Sequence, residues 1–177
     1  MTERQPFTVL EKRDGYELRE YPEAKMAQVD VRGSFSSAGN IAFGPLVRYI
    51  SGANAASQKI AMTAPVIQET TGAAYRVSFV MPADMSTTDL PTPADARVSV
   101  VTVPARRIAA VGFRGSWSEA RFREHSADLV RALERDGITE HGDPFYARFD
   151  PPWKPGFLKY SEVLVNIDGS SIARSSA

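Results

Sequence analysis

Cysteine is absent from this 177-residue chain. That absence excludes disulfides, thiolate metal sites, iron-sulfur clusters and a thiol nucleophile together. An excess of charge of one sign is also lacking, since Lys and Arg number 21, Asp and Glu number 21, and the formal net charge is +0. No global field is available to hold a phosphate backbone, so nucleic acid is not an expected partner. The same neutrality leaves little long-range repulsion, and a monomer or weak homodimer is expected. No window approaches the roughly 20 apolar residues of a membrane span, and the opening MTERQPFTVLEKRDGYELREY has no apolar stretch of signal-peptide length. A cytoplasmic protein is expected. The G-x-S-x-G elbow, H-E-x-x-H, the P-loop, the dinucleotide fingerprint and C-x-x-C-H are all missing, which favours a binding protein over an enzyme. Histidine is scarce, with only His125 and His141.

What is present is a repeat. Residues 22–38, PEAKMAQVDVRGSFSSA, align without a gap to residues 104–120, PARRIAAVGFRGSWSEA, at an offset of 82. The windows share Pro22/Pro104, Ala27/Ala109, Val29/Val111, Arg32/Arg114, Gly33/Gly115, Ser34/Ser116, Ser36/Ser118 and Ala38/Ala120, with an aromatic at Phe35/Trp117. Two copies of one supersecondary unit, each too small to bury its own apolar face, are expected to pack as one domain over 1–177, with a cleft between them as the natural ligand site.

Each repeat, about 14–81 and 96–168, shows the same order of elements. In the first, Tyr16–Tyr21 alternates, Pro22 turns the chain and Met26–Val31 reads as a second strand. Ser34 or Ser36 caps a helix running to about Ser51, with Ile41, Phe43, Leu46, Val47 and Ile50 as its apolar positions and Gly52 as its stop. Strands follow at Ala64–Glu69 and Tyr75–Met81, then an irregular link over Pro82–Asp95. In the second, Val98–Val103 and Ile108–Phe113 precede a helix whose Ser116 and Glu119 have capping-box spacing. That helix turns Phe122, Leu129, Val130 and Leu133 inward, ends near Asp136-Gly137 and is about one turn longer than its counterpart. Phe145–Phe149 and Glu162–Ile167 are the last strands, and 169–177 reads as a disordered tail. An α+β fold follows: a distorted antiparallel β-barrel or sheet built from two pseudo-twofold βαββ-type repeats, each with one long helix packed on the sheet. Arg32 and Arg114 are expected to play a symmetric role, paired with carboxylates or helix-end carbonyls.

QKIAMTAPV at 58–66, ARFDPPWKPGFLKYSEVLV at 147–165 and YELREYP at 16–22 closely resemble the signature regions of the SOUL heme-binding protein family. The resemblance covers roughly residues 14–168. It implies a fold similar to the ligand-binding domain of the GyrI-like regulators and the reversible, non-covalent binding of heme or another tetrapyrrole, for buffering, transport or sensing.

The resemblance also implies a site. The family places its ligand along the first helix and the following TAPV segment, which match Phe43, Val47, Ile60 and Met62 here; the bland reading of the same residues is core. Arg48, where the family often carries a basic residue, and Lys59, Lys154 and Lys159 in the signature loops are candidate propionate partners or ordinary surface. Pro151, Pro152 and Pro155 stiffen the loop that presents Trp153 and Phe157, which either closes over a ligand or plugs a barrel end. Some members have a first-strand histidine proposed as iron ligand, and the matching position here is Glu20. Met62, His125 and Tyr160 remain as candidate iron donors, with a hydrogen-bonded structural role the alternative for His125 and a solvent-exposed place expected for His141. Glu162 carries the rival reading. Facing an apolar cleft, it would be an acid, a base or a partner for a cationic or electrophilic small molecule, as in GyrI-like relatives; facing outward, it is a structural charge.

Overall fold

The computed structural model describes residues 2–86 and 89–169, so the expected disorder of 170–177 lies outside the described residues. The elements in chain order are β1 (Glu3–Arg4), β2 (Thr8–Arg13), β3 (Tyr16–Tyr21), β4 (Ala24–Val31), α1 (Phe35–Ile50), β5 (Thr63–Thr71), β6 (Ala74–Val80), β7 (Val98–Val103), β8 (Arg106–Arg114), α2 (Glu119–Arg135), β9 (Glu140–Arg148) and β10 (Tyr160–Ile167). They form two compact units, residues 2–6 with 23–104 and residues 7–22 with 105–169. Each is an α+β unit of five strands and one helix.

The first unit orders its strands β1-β5-β6-β4-β7, all antiparallel except the short β1–β5 pair. β4 and β6 alternate as the sequence suggests, so Ala27, Val29, Val77 and Phe79 share a buried face with α1. The helix meets them with Ala38, Ala42, Leu46, Tyr49 and Ile50, at i, i+4 and i+3 spacing. Ser34 starts α1 by accepting from the Ser37 backbone N–H, while Ser37 Oγ accepts from the Ser34 N–H. Serine thus fills the place glutamate takes in the usual box. Gly52, at φ +116°, ends it in a conformation that costs glycine little.

The expected stripe of α1 needs correction. Leu46 and Ile50 are buried and Val47 half-buried, but Ile41 and Phe43 are exposed. The reason is helical phase: the buried line runs through Ala38, Ala42, Leu46 and Tyr49, and Ile41 and Phe43 stand about 100° to either side of Ala42, on opposite flanks of the helix.

The second unit orders its strands β2-β3-β8-β10-β9, all antiparallel. α2 covers one face, with Leu129 and Leu133 buried, Phe122 tilted against Tyr146 at 5.4 Å and the Tyr16 hydroxyl donating to Asp136 at 2.5 Å. Its N-cap is Ser118, which accepts from the Arg121 N–H, and no box forms between Ser116 and Glu119. Ser116 lies two residues before that cap, against Gly156, where an added Cβ would come within 2.3 Å of its Oγ. At 17 residues against 16, α2 exceeds α1 by one residue rather than a turn. The first strand of each sequence repeat sits in the other repeat's unit: β3 pairs with β8, and β7 with β4.

Candidate functional site

The residues expected to bind a ligand fall into two sets, one per unit. In the first unit, Ile60 is buried, while Val47 and Met62 are half-buried against the α1 core. Phe43 is 44% exposed, with its ring edge-on to buried Phe79 at 5.9 Å. Arg48 follows on the same helix with an exposed guanidinium 3.7 Å from Asp95. Asp95 also takes Arg97 at 2.7 Å, and the hydrogen bonds from Arg97 hold its carboxyl down to about 2. Lys59 is exposed.

The segment carrying Ile60 and Met62 is fixed by a residue that sequence reasoning missed. Buried Asn54 donates to the Tyr49 and Gln58 carbonyls at 3.0 and 2.9 Å. It also accepts from the Ala56 and Gln58 N–H groups at 3.2 and 3.0 Å. With all four hydrogen-bonding positions of its amide used, the loop has one low-energy course. An Asn after a helix-ending glycine was the available signal.

In the second unit, Glu162 is 2% exposed. It neither faces an apolar cleft nor points outward, and its structural role is an ion pair. Arg19 donates to both of its oxygens at 2.9 and 2.7 Å, and the Tyr160 hydroxyl adds a third bond at 2.8 Å. Arg19 also reaches Glu17 at 3.0 Å and the Tyr21 hydroxyl at 3.0 Å, and stacks over Phe7 at 4.1 Å. Burial works against the Arg19 charge, but the bonds and charge of Glu162 outweigh it and hold the guanidinium more firmly protonated than usual. Burial and the Glu162 charge push the Tyr160 hydroxyl up to about 12.

β8 lies between Arg19 and Glu162, and its register sets Ile108 opposite Arg19 and Gly112 opposite Glu162. Gly112 is required by close approach, since a Cβ would come within 2.2 Å of the Tyr160 hydroxyl. Neither Arg19 nor Gly112 stood out in the sequence. The alternation of Glu17, Arg19 and Tyr21 on one strand face was the only hint.

The remaining candidates are separated. His125 lies flat on Phe113 at 4.0 Å, so its structural role is stacking, and His141 is exposed in β9. The Tyr160 hydroxyl is committed to Glu162. Of the three iron-donor candidates, only Met62 lies on the α1 side. Trp153 and Phe157 are 83% and 75% exposed, so Trp153 plugs nothing. Lys159 sits 3.9 Å over the Trp117 ring, and Lys154 pairs with Asp150 at 2.7 Å. Arg32 and Arg114 are both exposed; Arg114 donates to the Leu158 carbonyl at 3.2 Å, and among the described residues Arg32 makes no corresponding bond. Two cavities in this unit, of about 410 and 330 Å³, have charged linings that include Arg13, Glu17 and Arg19 in one and Asp14, Asp128 and Arg135 in the other. Neither offers a broad apolar wall. Among the described residues, no group of three or more His, Asp or Glu could hold a metal ion, and no helix is long and apolar enough to cross a membrane.

Each unit packs one helix on a mostly antiparallel sheet, and in the first unit that helix leaves Phe43 partly exposed. The SOUL heme-binding protein family matches residues 2–166, and the chain belongs to it. It is 29% identical over 149 residues to Heme-binding protein 1 of Xenopus laevis, covering 79% of this chain and 77% of that protein. Among solved structures, the C-terminal domain of EcmrR shares the fold at a TM-score of 0.69 and 15% identity, covering 86% of this chain and 96% of that one. A hydrolase from Listeria innocua aligns at a TM-score of 0.56 and 12% identity, over 90% and 94% of the two chains. The protein SAV2435 bound to tetraphenylphosphonium aligns at 0.51 and 9%, over 92% and 99%.

Proposed function

We propose that this protein binds heme or a related tetrapyrrole non-covalently on the α1 flank of its first unit, as a cytoplasmic buffer, carrier or sensor with no reaction of its own. The observation that carries the reading is Phe43, a large aromatic left 44% exposed on α1 with its ring edge-on to the buried Phe79. An exposed ring backed by a buried one suits an apolar macrocycle, because stacking adds to the area removed from water. Val47, one turn on from Phe43, extends that surface, and Met62 packs against the same core. Family membership and the likeness to Heme-binding protein 1 support the same ligand class.

The residues present fit the group in part. Arg48, with its guanidinium largely in solvent, would meet a propionate by exchanging its 3.7 Å contact with Asp95. Met62 is the one candidate donor on this face, a soft thioether suited to iron, but it is half-buried in core packing. Bound heme would supply the iron chemistry; the chain's part is to cover one macrocycle face and neutralise a carboxylate. Trp153, Phe157 and Lys159 lie in the second unit, and the reading rests on the α1 set alone.

The rival reading gives Glu162 a cationic or electrophilic small molecule, in keeping with the hydrolase and tetraphenylphosphonium-bound relatives of the fold. Against it, Arg19 and Tyr160 already occupy both carboxylate oxygens. Titration with ferric hemin and with metal-free protoporphyrin separates the possibilities. Saturable one-to-one binding of both is expected for an apolar surface without an essential axial ligand. Binding of hemin alone would make Met62 an iron ligand, and binding of neither would overturn the proposal.

A further inference from the structure

The loop between β9 and β10 combines features that the heme reading does not use. It presents Trp153, Phe157 and Leu158 to solvent at 83%, 75% and 43% exposure. Large apolar side chains clustered on one loop and left this open mark an interaction site. The loop is also preformed. Asp150 accepts from Lys154 at 2.7 Å and from the Tyr160 N–H at 2.6 Å, and the Leu158 and Lys159 N–H groups close a short turn on Pro155 and Gly156 at 2.9 and 3.1 Å. Gly156 packs against Ser116 so closely that a Cβ there would clash. Little ordering entropy is left to lose on docking.

The charge around this tip is one-sided, although the chain as a whole carries a formal net charge of +0. Arg114 donates to the Leu158 carbonyl at 3.2 Å, Arg121 to the Arg114 carbonyl at 3.4 Å, and Lys159 lies over Trp117. Among the described residues, none of these three cations has a carboxylate within ion-pair distance. Asp150, the acid in the loop itself, is engaged by Lys154 and the Tyr160 N–H.

We propose that the Trp153–Leu158 loop docks this protein on an anionic lipid bilayer, with Trp153 and Phe157 entering the headgroup layer and Arg114, Arg121 and Lys159 meeting lipid phosphates. Indole and phenyl rings favour the membrane–water interface, and each nearby Lys or Arg adds attraction to an anionic leaflet. A bilayer fits better than a protein partner because three side chains on one loop fall far short of the roughly 800 Å² per partner of a standard protein interface. A shallow insertion reinforced by charge needs no such area.

Co-sedimentation of the full chain with vesicles of phosphatidylglycerol and phosphatidylcholine, and with phosphatidylcholine alone, tests this. Binding is expected to the anionic vesicles only, to weaken with salt, and to persist when inorganic phosphate replaces chloride at matched ionic strength. In a W117F background, the Trp153 emission should shift to the blue on binding. W153S/F157S should lose at least ten-fold in vesicle affinity, and R114Q/K159Q roughly thirty-fold at about 1 kcal/mol per charge. Both variants change exposed or half-exposed positions and are to be confirmed folded by their melting curves. Failure of the wild-type protein to bind, equal binding to phosphatidylcholine alone, unchanged affinity in W153S/F157S, or displacement by free phosphate would each overturn the proposal. So would a hemin-affinity loss in W153S/F157S unaccompanied by a vesicle-affinity loss, because the loop would then belong to the porphyrin site.

Discussion

Arg19 and Glu162, on strands separated by β8 and 143 positions apart in sequence, meet through two hydrogen bonds of 2.9 and 2.7 Å with side chains almost wholly removed from water. A buried pair of this kind contributes little net stability over an apolar replacement, yet losing one member leaves the other charge stranded. Glu162→Gln is therefore expected to destabilise the fold by about 3 kcal/mol, the low end for a broken buried pair because the amide keeps the shape. Urea denaturation checks it, and hemin affinity measured on the folded fraction should not change.

Stability should fall at both ends of the pH scale, for separate reasons. Bonds from Arg135 and the Tyr16 hydroxyl hold the Asp136 carboxyl down to about 2, below the unfolded value near 4. Its contribution is present above that unfolded value and lost as pH falls from about 4 to about 2. Tyr160 runs the other way: its hydroxyl sits at about 12, above the unfolded value near 10, so its contribution is present below about 10 and lost as pH rises to about 12. Melting temperatures across pH check both limbs, with Asp136→Asn lessening the acid limb, which Asp95 shares, and Tyr160→Phe lessening the alkaline one, which the other raised tyrosines, Tyr16 first, share.

The start of α2 offers a local test. Ser118 accepts from the Arg121 N–H at 3.1 Å, so Ser118→Ala should cost about 1 kcal/mol. Ser116→Ala removes no cap and should cost a few tenths at most. Chemical denaturation of the two variants distinguishes the sites.

The local signals explain why some of this was legible in the sequence. β3 and β7 are bounded as the alternation and prolines imply, and α1 runs from the Ser34 cap to the glycine stop, because strand period, caps and Gly52 act within a few residues. The partner of a strand is not a local property, and nothing in YELREY says that β3 lies beside β8 rather than β4. The same limit hid Arg19 as the owner of the Glu162 charge. The α2 start was misplaced because Ser116 has S-x-x-E spacing to Glu119, whereas the helix is capped two residues later, at Ser118. On α1, Leu46 and Ile50 were legible as core, but Ile41 and Phe43 came out exposed because the buried line runs through Ala38 and Ala42, which an apolar-stripe reading built on large residues passes over.

The central claim is that the α1 flank holds a porphyrin, and the most direct measurement is the hemin affinity of Val47→Asp against the wild-type chain, followed at the Soret band with melting curves as the control for folding. Val47 is half-buried beside Phe43 and Met62, so a carboxylate there would be desolvated by a bound macrocycle. The account predicts a loss of affinity well over ten-fold in a folded protein, about 1.4 kcal/mol or more. An unchanged affinity in the folded variant would remove α1 from the site and contradict it.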